Sequence, residues 1–196
     1  MSIQEIGTLP ELNMAFDDLY QGIGEYCRDC QYPDCMGYIW LLREDADRLY
    51  DLGIPLVQIN DGPTFIHSFP TKIDGQPDVS VQRPSCSQLC DGARRCSIHK
   101  DRPFVCHLYP VGFETRSDGM VVWVLHQDCL YVRRLEERGL LSDFRQQVRS
   151  IINNISPQLL REIAETVYAV EAIYCFPEGG NSYIEIEELR HEQMQS

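Results

Sequence analysis

The spacing of the cysteines constrains this chain more than any other feature of its sequence. Eight of the nine cysteines lie at spacings that suit metal ligation, most of them in a turn-rich segment between residues 86 and 110 and in a second group upstream. Thiolates are soft ligands that select zinc, copper(I) or iron–sulfur clusters over cations that prefer oxygen. We therefore predict a cysteine-ligated metal site. The candidate ligands are Cys27, Cys30, Cys35, Cys86, Cys90, Cys96, Cys106 and Cys129.

The spacing is compatible with more than one kind of centre. Cys27-x2-Cys30 and Cys86-x3-Cys90 both match the paired-ligand spacing of structural zinc sites. Iron–sulfur clusters, [4Fe-4S] among them, also take cysteine thiolates, usually four per cluster. Eight thiols suffice for two four-cysteine sites, or for one site with spare or bridging sulfurs. Zinc and an iron–sulfur cluster therefore both stay open at this point.

Composition and charge limit the partners and the cellular compartment that we expect for this protein. The chain has 196 residues and a formal net charge of -13, which disfavours nucleic acid and anionic membranes as partners. Its first residues lack the basic and apolar regions of a signal peptide, and no apolar run approaches the roughly 18 residues that cross a bilayer. We therefore expect a cytoplasmic protein whose clustered thiols serve metal or redox chemistry rather than disulfides. Secretion by another route would reopen the disulfide interpretation.

The apolar patterns predict an α+β fold in a single domain over residues 1–196. A cysteine-cluster metal-binding core with short β-hairpins is expected over 27–130, C-terminal helices over 131–176, and an acidic tail over 177–196 that is ordered only if it docks. The predicted helices are 10–25, 43–52, 130–140, 142–154 and 157–173. The predicted strands are 38–42, 56–60, 64–69, 79–81, 111–115 and 120–125.

Three predictions concern individual side chains. In the helix 43–52, we expect an apolar inner face and a stop at Gly53; the inner residues are Ala46, Leu49, Tyr50 and Leu52. Cys175 lies between two aromatic residues, which favours a core or interface thiol over a ligand. Three histidines lie near the cysteines and could replace a thiolate, although we expect them around the metal or at the surface. They are His99, His107 and His126.

The order of these elements resembles the YkgJ-like cysteine-cluster family, described as a zinc- or iron-chelating domain family. The resemblance covers roughly residues 27–130, and it implies metal binding without implying a particular reaction. It is carried by an N-terminal cysteine group, a strand and helix, a Cys-x2-Leu element, a Cys-x-Ile element, an Arg-Pro-x2-Cys element and a final cysteine. The matching residues are Cys27, Cys30, Cys35, Cys86, Leu89, Cys96, Ile98, Arg102, Pro103, Cys106, Pro110 and Cys129.

This sequence also departs from the family pattern. Met36 occupies the position of a usual cysteine, and His99 and His107 replace a usual Tyr and Arg. Cys90 is an additional cysteine, and one hypothesis is that it restores the ligand lost at position 36.

Three functions follow from these observations. The first is an iron–sulfur protein with a redox or metallocofactor-related role, which the excess of thiols over one zinc site favours. The second is an interaction module without catalysis, in which Zn²⁺ stabilises the loops and the C-terminal helices dock a protein partner. The third is a metal-dependent modifying enzyme; the sequence contains none of the common catalytic motifs that would support it.

Overall fold

The structure is a computed structural model. It describes residues 5–20, 22–23, 26, 38–70, 72, 77–78, 85–90, 95–173 and 182–189, and at positions 90 and 95 it describes the backbone alone. The predicted ligands Cys27, Cys30 and Cys35, the predicted strand 79–81 and Cys175 lie outside the described residues.

Helices and small antiparallel sheets make up the described chain, which confirms the α+β class. The helices are α1 (Leu9–Leu19), α2 (Arg43–Asp51), α3 (Phe104–Leu108), α4 (Leu130–Glu137), α5 (Leu141–Asn153) and α6 (Pro157–Ile173), with a short 3-10 turn at His99–Asp101. The strands are β1 (Trp40–Leu41), β2 (Leu56–Gln58), β3 (Thr64–Ile66), β4 (Leu89–Cys90), β5 (Arg95–Cys96), β6 (Val111–Thr115), β7 (Val121–His126) and β8 (Tyr183–Glu188).

The strands form three antiparallel sheets within the described chain. One has the order β1-β3-β2, one is the β4-β5 hairpin, and one has the order β6-β7-β8. The hairpin predicted from strands 56–60 and 64–69 is confirmed, and Asn60 and Asp61 adopt positive φ angles of 51° and 55° in its tight turn. The hairpin of β6 and β7 is confirmed as well, with Phe113 opposite Trp123.

Local sequence explains where α1 begins. The backbone N–H of Glu11 donates to the Thr8 hydroxyl at 3.4 Å, and the Glu11 carboxylate accepts from the N–H of Thr8 at 3.0 Å. This reciprocal capping box satisfies donors that the first turn of a helix leaves open. The start was predicted within one residue; α1 ends at Leu19, before the predicted end, which itself lies outside the described residues.

Most buried side chains belong to one main core. It lies between α1, the β6-β7-β8 sheet and the C-terminal helices, whose apolar faces are buried as predicted. Its fully buried residues include Leu12, Phe16, Leu42, Phe65, Phe104, Leu108, Trp123, Leu125, Ile163 and Leu189.

A second, smaller group of buried residues lies beside the first sheet. We call it the small cluster; it consists of Ile39, Leu41, Leu49, Ile66 and Cys86. Leu49 and the partly buried Ala46 bring α2 against it, as predicted. The prediction was wrong for Tyr50 and Leu52, which are 75% and 52% exposed. Asp45 is buried instead, because the inner face of α2 turns toward the segment that carries Cys106.

The acidic segment after residue 177 is docked over Tyr183–Glu188. β8 pairs with β7, and beyond it the N–H of Leu189 donates to the carbonyl of Val121 at 2.9 Å. Ile186 and Leu189 are buried in the main core, while Arg116 contacts the carboxylates of Glu185 and Glu188 outside. The segment was expected to be ordered only if it docks. It docks through the pairing of β8 with β7 and the burial of Ile186 and Leu189.

Candidate metal centre

Cys86 is the best-defined of the predicted ligands. Its residue is 8% exposed, and it packs with Leu41, Leu49 and Ile66 in the small cluster. The backbone N–H of Gln88 donates to its sulfur at 3.5 Å. Burial raises the pKa of the Cys86 thiol, whereas the hydrogen bonds from Gln88, Ser68 and Leu89 act to lower that pKa. The hydrogen bond from Gln88 favours the anionic form of the sulfur, but burial has the larger effect and favours the protonated thiol.

Cys106 packs against the small cluster, and Cys96 lies near Cys86, which belongs to that cluster. Cys96 is in β5, where its backbone pairs with Leu89, three residues after Cys86. Its negative charge would raise the pKa of Cys86, so the two thiols are close enough to interact electrostatically. Cys106 is half-buried in α3 and packs directly against the small cluster. Three predicted ligands from one stretch of sequence are therefore linked through Cys86 and the small cluster that contains it.

The other predicted ligands are placed less completely. The backbone of Cys90 pairs with Arg95 in the β4-β5 hairpin, and its side chain lies outside what the structure describes. Cys27, Cys30 and Cys35 lie outside it altogether. Among the described residues, no three side chains of His, Cys, Asp or Glu form a group that could hold a metal ion. A complete ligand set would therefore need sulfur from these four cysteines or from Cys129.

Cys129 belongs to the main core rather than to the small cluster. It is buried at the start of α4, and its charge would raise the pKa values of Tyr20 and Tyr131, which burial already raises. The Tyr131 ring meets the Tyr26 ring edge to face, with centroids 5.5 Å apart. Cys27 is the next residue in the sequence after Tyr26. Tyr26, the described residue that precedes the first cysteine group in sequence, therefore contacts α4, which begins directly after Cys129.

Two charged residues of α2 fix the turn that leads to Cys106, and sequence reasoning missed both. Asp45, with only 1% of its surface exposed, accepts a hydrogen bond from the backbone N–H of Phe104 at 2.7 Å. Arg48 donates to the Asp45 carboxylate at 2.7 Å and to the carbonyl of Asp101 at 2.7 Å. Their i,i+3 spacing on a helix was the available signal, but it is common on solvated helix faces.

A second polar network ties the same segment to α1. The Asp17 carboxylate accepts from the Arg102 guanidinium, and Nδ1 of His107 lies 2.9 Å from the same oxygen. Arg102 also contacts the ring of His99. Burial lowers the pKa of His107, and the neighbouring Arg102 lowers it further, while Asp17 opposes both effects. His107 and His99 are therefore held in an ion-pair network beside the cysteines, next to Cys106 in sequence.

His126 occupies a different position. Its ring stacks on Tyr109 with centroids 5.8 Å apart, and burial lowers its pKa. Gly112 is required beneath it, because a Cβ at that position would approach Nε2 of His126 to 2.5 Å. The ring is thus fixed three residues before Cys129 by close packing.

The chemistry of the donor set fits a thiolate-bound metal. A neutral buried thiol needs few hydrogen bonds, whereas a metal-bound thiolate is commonly stabilised by N–H and O–H donors around the sulfur. Cys86 has such donors in Gln88, Leu89 and Ser68. The residues that would hold the metal are Cys86, Cys96 and Cys106, with further sulfur from the remaining predicted ligands.

Comparison with other proteins adds no family assignment. No protein-family model matches this chain, and neither the curated proteins nor the solved structures contain a match to it. In the described residues, no helix is both long and apolar enough to cross a membrane.

Proposed function

We propose that this protein binds a metal centre through cysteine thiolates, and that the centre is an iron–sulfur cluster with a redox or metallocofactor-related role. One observation carries the proposal: Cys106 packs against the small cluster that contains Cys86, Cys96 is close enough to Cys86 to affect its pKa, and the N–H of Gln88 donates to the Cys86 sulfur. The order of cysteines that resembles the YkgJ-like family supports the same function. The reduced thiols that it needs are those of the cytoplasm.

Electrostatics makes ionisation of the Cys86 thiol dependent on a bound cation. Burial opposes ionisation of Cys86, and the charge of Cys96 opposes it further. Two thiolates at this distance would repel each other in a poorly solvated site. A metal cation removes both penalties, since it binds the thiolates directly and releases their protons. The hydrogen bonds at Cys86 would then stabilise a charge that is present only in the loaded protein.

The number of thiols favours an iron–sulfur cluster over a single structural zinc. One tetrahedral zinc site takes four ligands, and the chain offers eight cysteines at suitable spacings. Under the alternative function, a zinc-stabilised interaction module, the C-terminal helices would dock the protein partner. Those helices bury their apolar faces in the main core. The exposed large hydrophobic residues in the described chain are Met14, Tyr50, Leu52, Met120, Leu140 and Tyr183, which all lie outside α5 and α6.

Purification without oxygen tests the proposal. We expect a brown protein that contains iron and acid-labile sulfide in stoichiometric amounts. Cys86→Ser and Cys96→Ser should each lose most of the bound iron, while Cys175→Ser, at the cysteine predicted to be no ligand, serves as the matched control and should keep it. A colourless protein with stoichiometric zinc would overturn the redox role and keep the thiolate site. Protein with neither metal would overturn the proposal.

A further inference from the structure

We propose that Asp45 and Arg48 are positioning residues of the metal centre, and that they act by holding the turn that presents Cys106. This inference rests on the proposed function and deepens it. The two residues form what we call the α2 clamp, which joins α2 to the segment from Asp101 to Phe104.

The first half of the clamp is a buried carboxylate. One oxygen of Asp45 accepts the N–H of Phe104 at 2.7 Å, and the other accepts from Arg48 at 2.7 Å. Each carboxylate oxygen of Asp45 therefore accepts a hydrogen bond from a different partner. Burial raises the pKa of Asp45, and the hydrogen bonds from Phe104 and Arg48 oppose that shift.

The second half is the Arg48 guanidinium. It donates to the carbonyl of Asp101 at 2.7 Å and to the carbonyl of Arg102 at 3.3 Å, in addition to its bond with Asp45. Asp45 and Arg48 therefore bind backbone groups on both sides of Pro103. The Asp45 carboxylate accepts from the N–H of Phe104, which follows Pro103. The Arg48 guanidinium donates to the carbonyls of Asp101 and Arg102, which precede Pro103.

The clamped turn determines where Cys106 lies. α3 has only five residues, and its first turn is closed by the bond from the N–H of Cys106 to the carbonyl of Pro103 at 2.9 Å. A helix this short has little stability of its own, so its position follows from the turn to which it is attached. Leu49, one turn after Asp45, packs in the small cluster that Cys106 also contacts. The clamp therefore sets Cys106 against the small cluster, to which Cys86 belongs.

The energetics of buried ion pairs favour a geometric role over a stabilising one. Removing two charges from water costs about as much as their attraction returns, so a buried pair is weak evidence for stability. What the α2 clamp supplies is a fixed distance and direction between two pieces of chain. Polar groups that orient metal ligands have the same effect elsewhere, and their loss typically weakens metal binding by about 10–100-fold.

Four variants test the clamp. Asp45→Asn keeps an acceptor for the N–H of Phe104 and loses the acceptor for Arg48, and Arg48→Gln removes the charge that spans the two carbonyls. The matched controls are Asp47→Asn and Arg43→Gln, at exposed positions of the same helix. Metal-free protein is titrated with Co²⁺ without oxygen, and the intensity of the sulfur-to-cobalt charge-transfer band per bound cobalt reports how many thiolates are coordinated.

We expect both clamp variants to bind Co²⁺ about 10–100-fold more weakly than wild type, with a lower charge-transfer intensity at saturation, and both controls to match wild type. In metal-free protein, alkylation of Cys106 should accelerate several-fold in the clamp variants while alkylation of Cys129 stays unchanged. Equal cobalt binding together with equal alkylation of Cys106 would overturn the clamp. An equal acceleration at Cys106 and Cys129 would overturn it too, because it would indicate general destabilisation.

The two proposals fail in different ways. Wild-type protein that binds no Co²⁺ and holds no iron would refute the proposed function. The alkylation rates of Cys106 and Cys129 would still decide whether Asp45 and Arg48 position the turn.

Discussion

The main core packs aromatic residues from several elements against one another, whereas the small cluster contains short aliphatic side chains and a cysteine. Phe113 lies 4.3 Å from Trp123 between ring centroids, and Tyr131 meets Phe144 at 5.7 Å. The small cluster has no comparable ring pair among its described residues. Area removed from water is therefore concentrated in the main core.

Hydrogen bonds and ion pairs make a larger contribution to the structure beside the small cluster. Asp45 and Arg48 hold the Cys106 turn, and the Ser68 hydroxyl accepts the N–H of Ser87 at 3.0 Å next to Cys86. Such bonds contribute less net free energy than burial of large rings, but they fix direction. Under the proposed function, the main core supplies stability, and the small cluster positions the sulfurs of Cys86 and Cys106.

The largest effect is expected from Trp123→Ala in the main core. Trp123 is fully buried in the central strand β7, and its loss should reduce the free energy of unfolding by about 3–5 kcal/mol. Denaturant titration should show Cys86 and Cys129 becoming alkylatable in one shared transition, because the small cluster depends on the main core. Protection of Cys86 that persists after the main transition would break the comparison by making the small cluster independent.

Leu189→Ala tests the docking of β8. Leu189 is fully buried in the main core and follows the paired strand, so its truncation should cost about 2–4 kcal/mol in the free energy of unfolding. Tyr183→Ala, at the more exposed start of β8, is the control and should cost much less. Equal, small losses for the two variants would show that the acidic segment contributes nothing to the core.

Leu49→Ala should act mainly on the small cluster. Leu49 is fully buried there, and a small cluster can partly collapse around the cavity, so we expect about 2 kcal/mol of destabilisation. Alkylation of Cys86 should accelerate below the denaturant concentration that unfolds the main core. Leu52→Ala, on the same helix but half exposed, should change stability by less than about 0.5 kcal/mol. A larger effect at Leu52 than at Leu49 would reverse the assignment of the buried face.

The smallest effect concerns a carboxyl group of α6, far in sequence from the cysteines. Burial raises the pKa of Glu171, and the Thr115 hydroxyl donates to it at 2.6 Å. The stability that this group contributes is therefore complete below its unfolded pKa and is lost as the pH rises through its folded pKa.

Glu171→Gln removes that titration while keeping an acceptor for Thr115. The variant should be more stable than wild type at pH 7, by at most about 0.5 kcal/mol because solvent screens the group, and the difference should vanish near pH 4. Thermal unfolding between pH 4 and 7 measures it, and metal content should not change. A difference that grows as the pH falls would contradict the assigned direction.

Local sequence predicted the elements whose signals are local. The predicted helix start at residue 10 lies one residue from the start of α1, the predicted strands 56–60 and 64–69 contain β2 and β3, and residues 157–173 form a helix with the predicted bounds. The apolar pattern of α2 correctly placed Ala46 and Leu49 on the buried side but wrongly added Tyr50 and Leu52. Tyr50 and Leu52 are exposed because Asp45 meets a backbone N–H 59 positions away in the chain, a contact that no local pattern encodes.

The acidic C-terminal segment contains the alternating pattern of a strand, which the high charge of the segment made easy to overlook. Ile184 and Ile186 alternate with Glu185 and Glu187, which is the period of a strand with one buried face. For the candidate site, the structure places Cys86 in the small cluster, Cys106 against it and Cys96 opposite Leu89, while the role of each thiol as a ligand stays a prediction. The hydrogen bonds to the Cys86 sulfur and the α2 clamp depend on folded geometry, so spacing could not predict them.

X-ray absorption at the metal edge of protein purified without oxygen tests the central claim most directly, because it reports which atoms bind the metal. The proposal predicts a first shell of sulfur, at about 2.3 Å if the metal is zinc, that diminishes in Cys86→Ser. A first shell made only of nitrogen and oxygen, at about 2.0–2.2 Å, would contradict it, and so would protein that retains no metal.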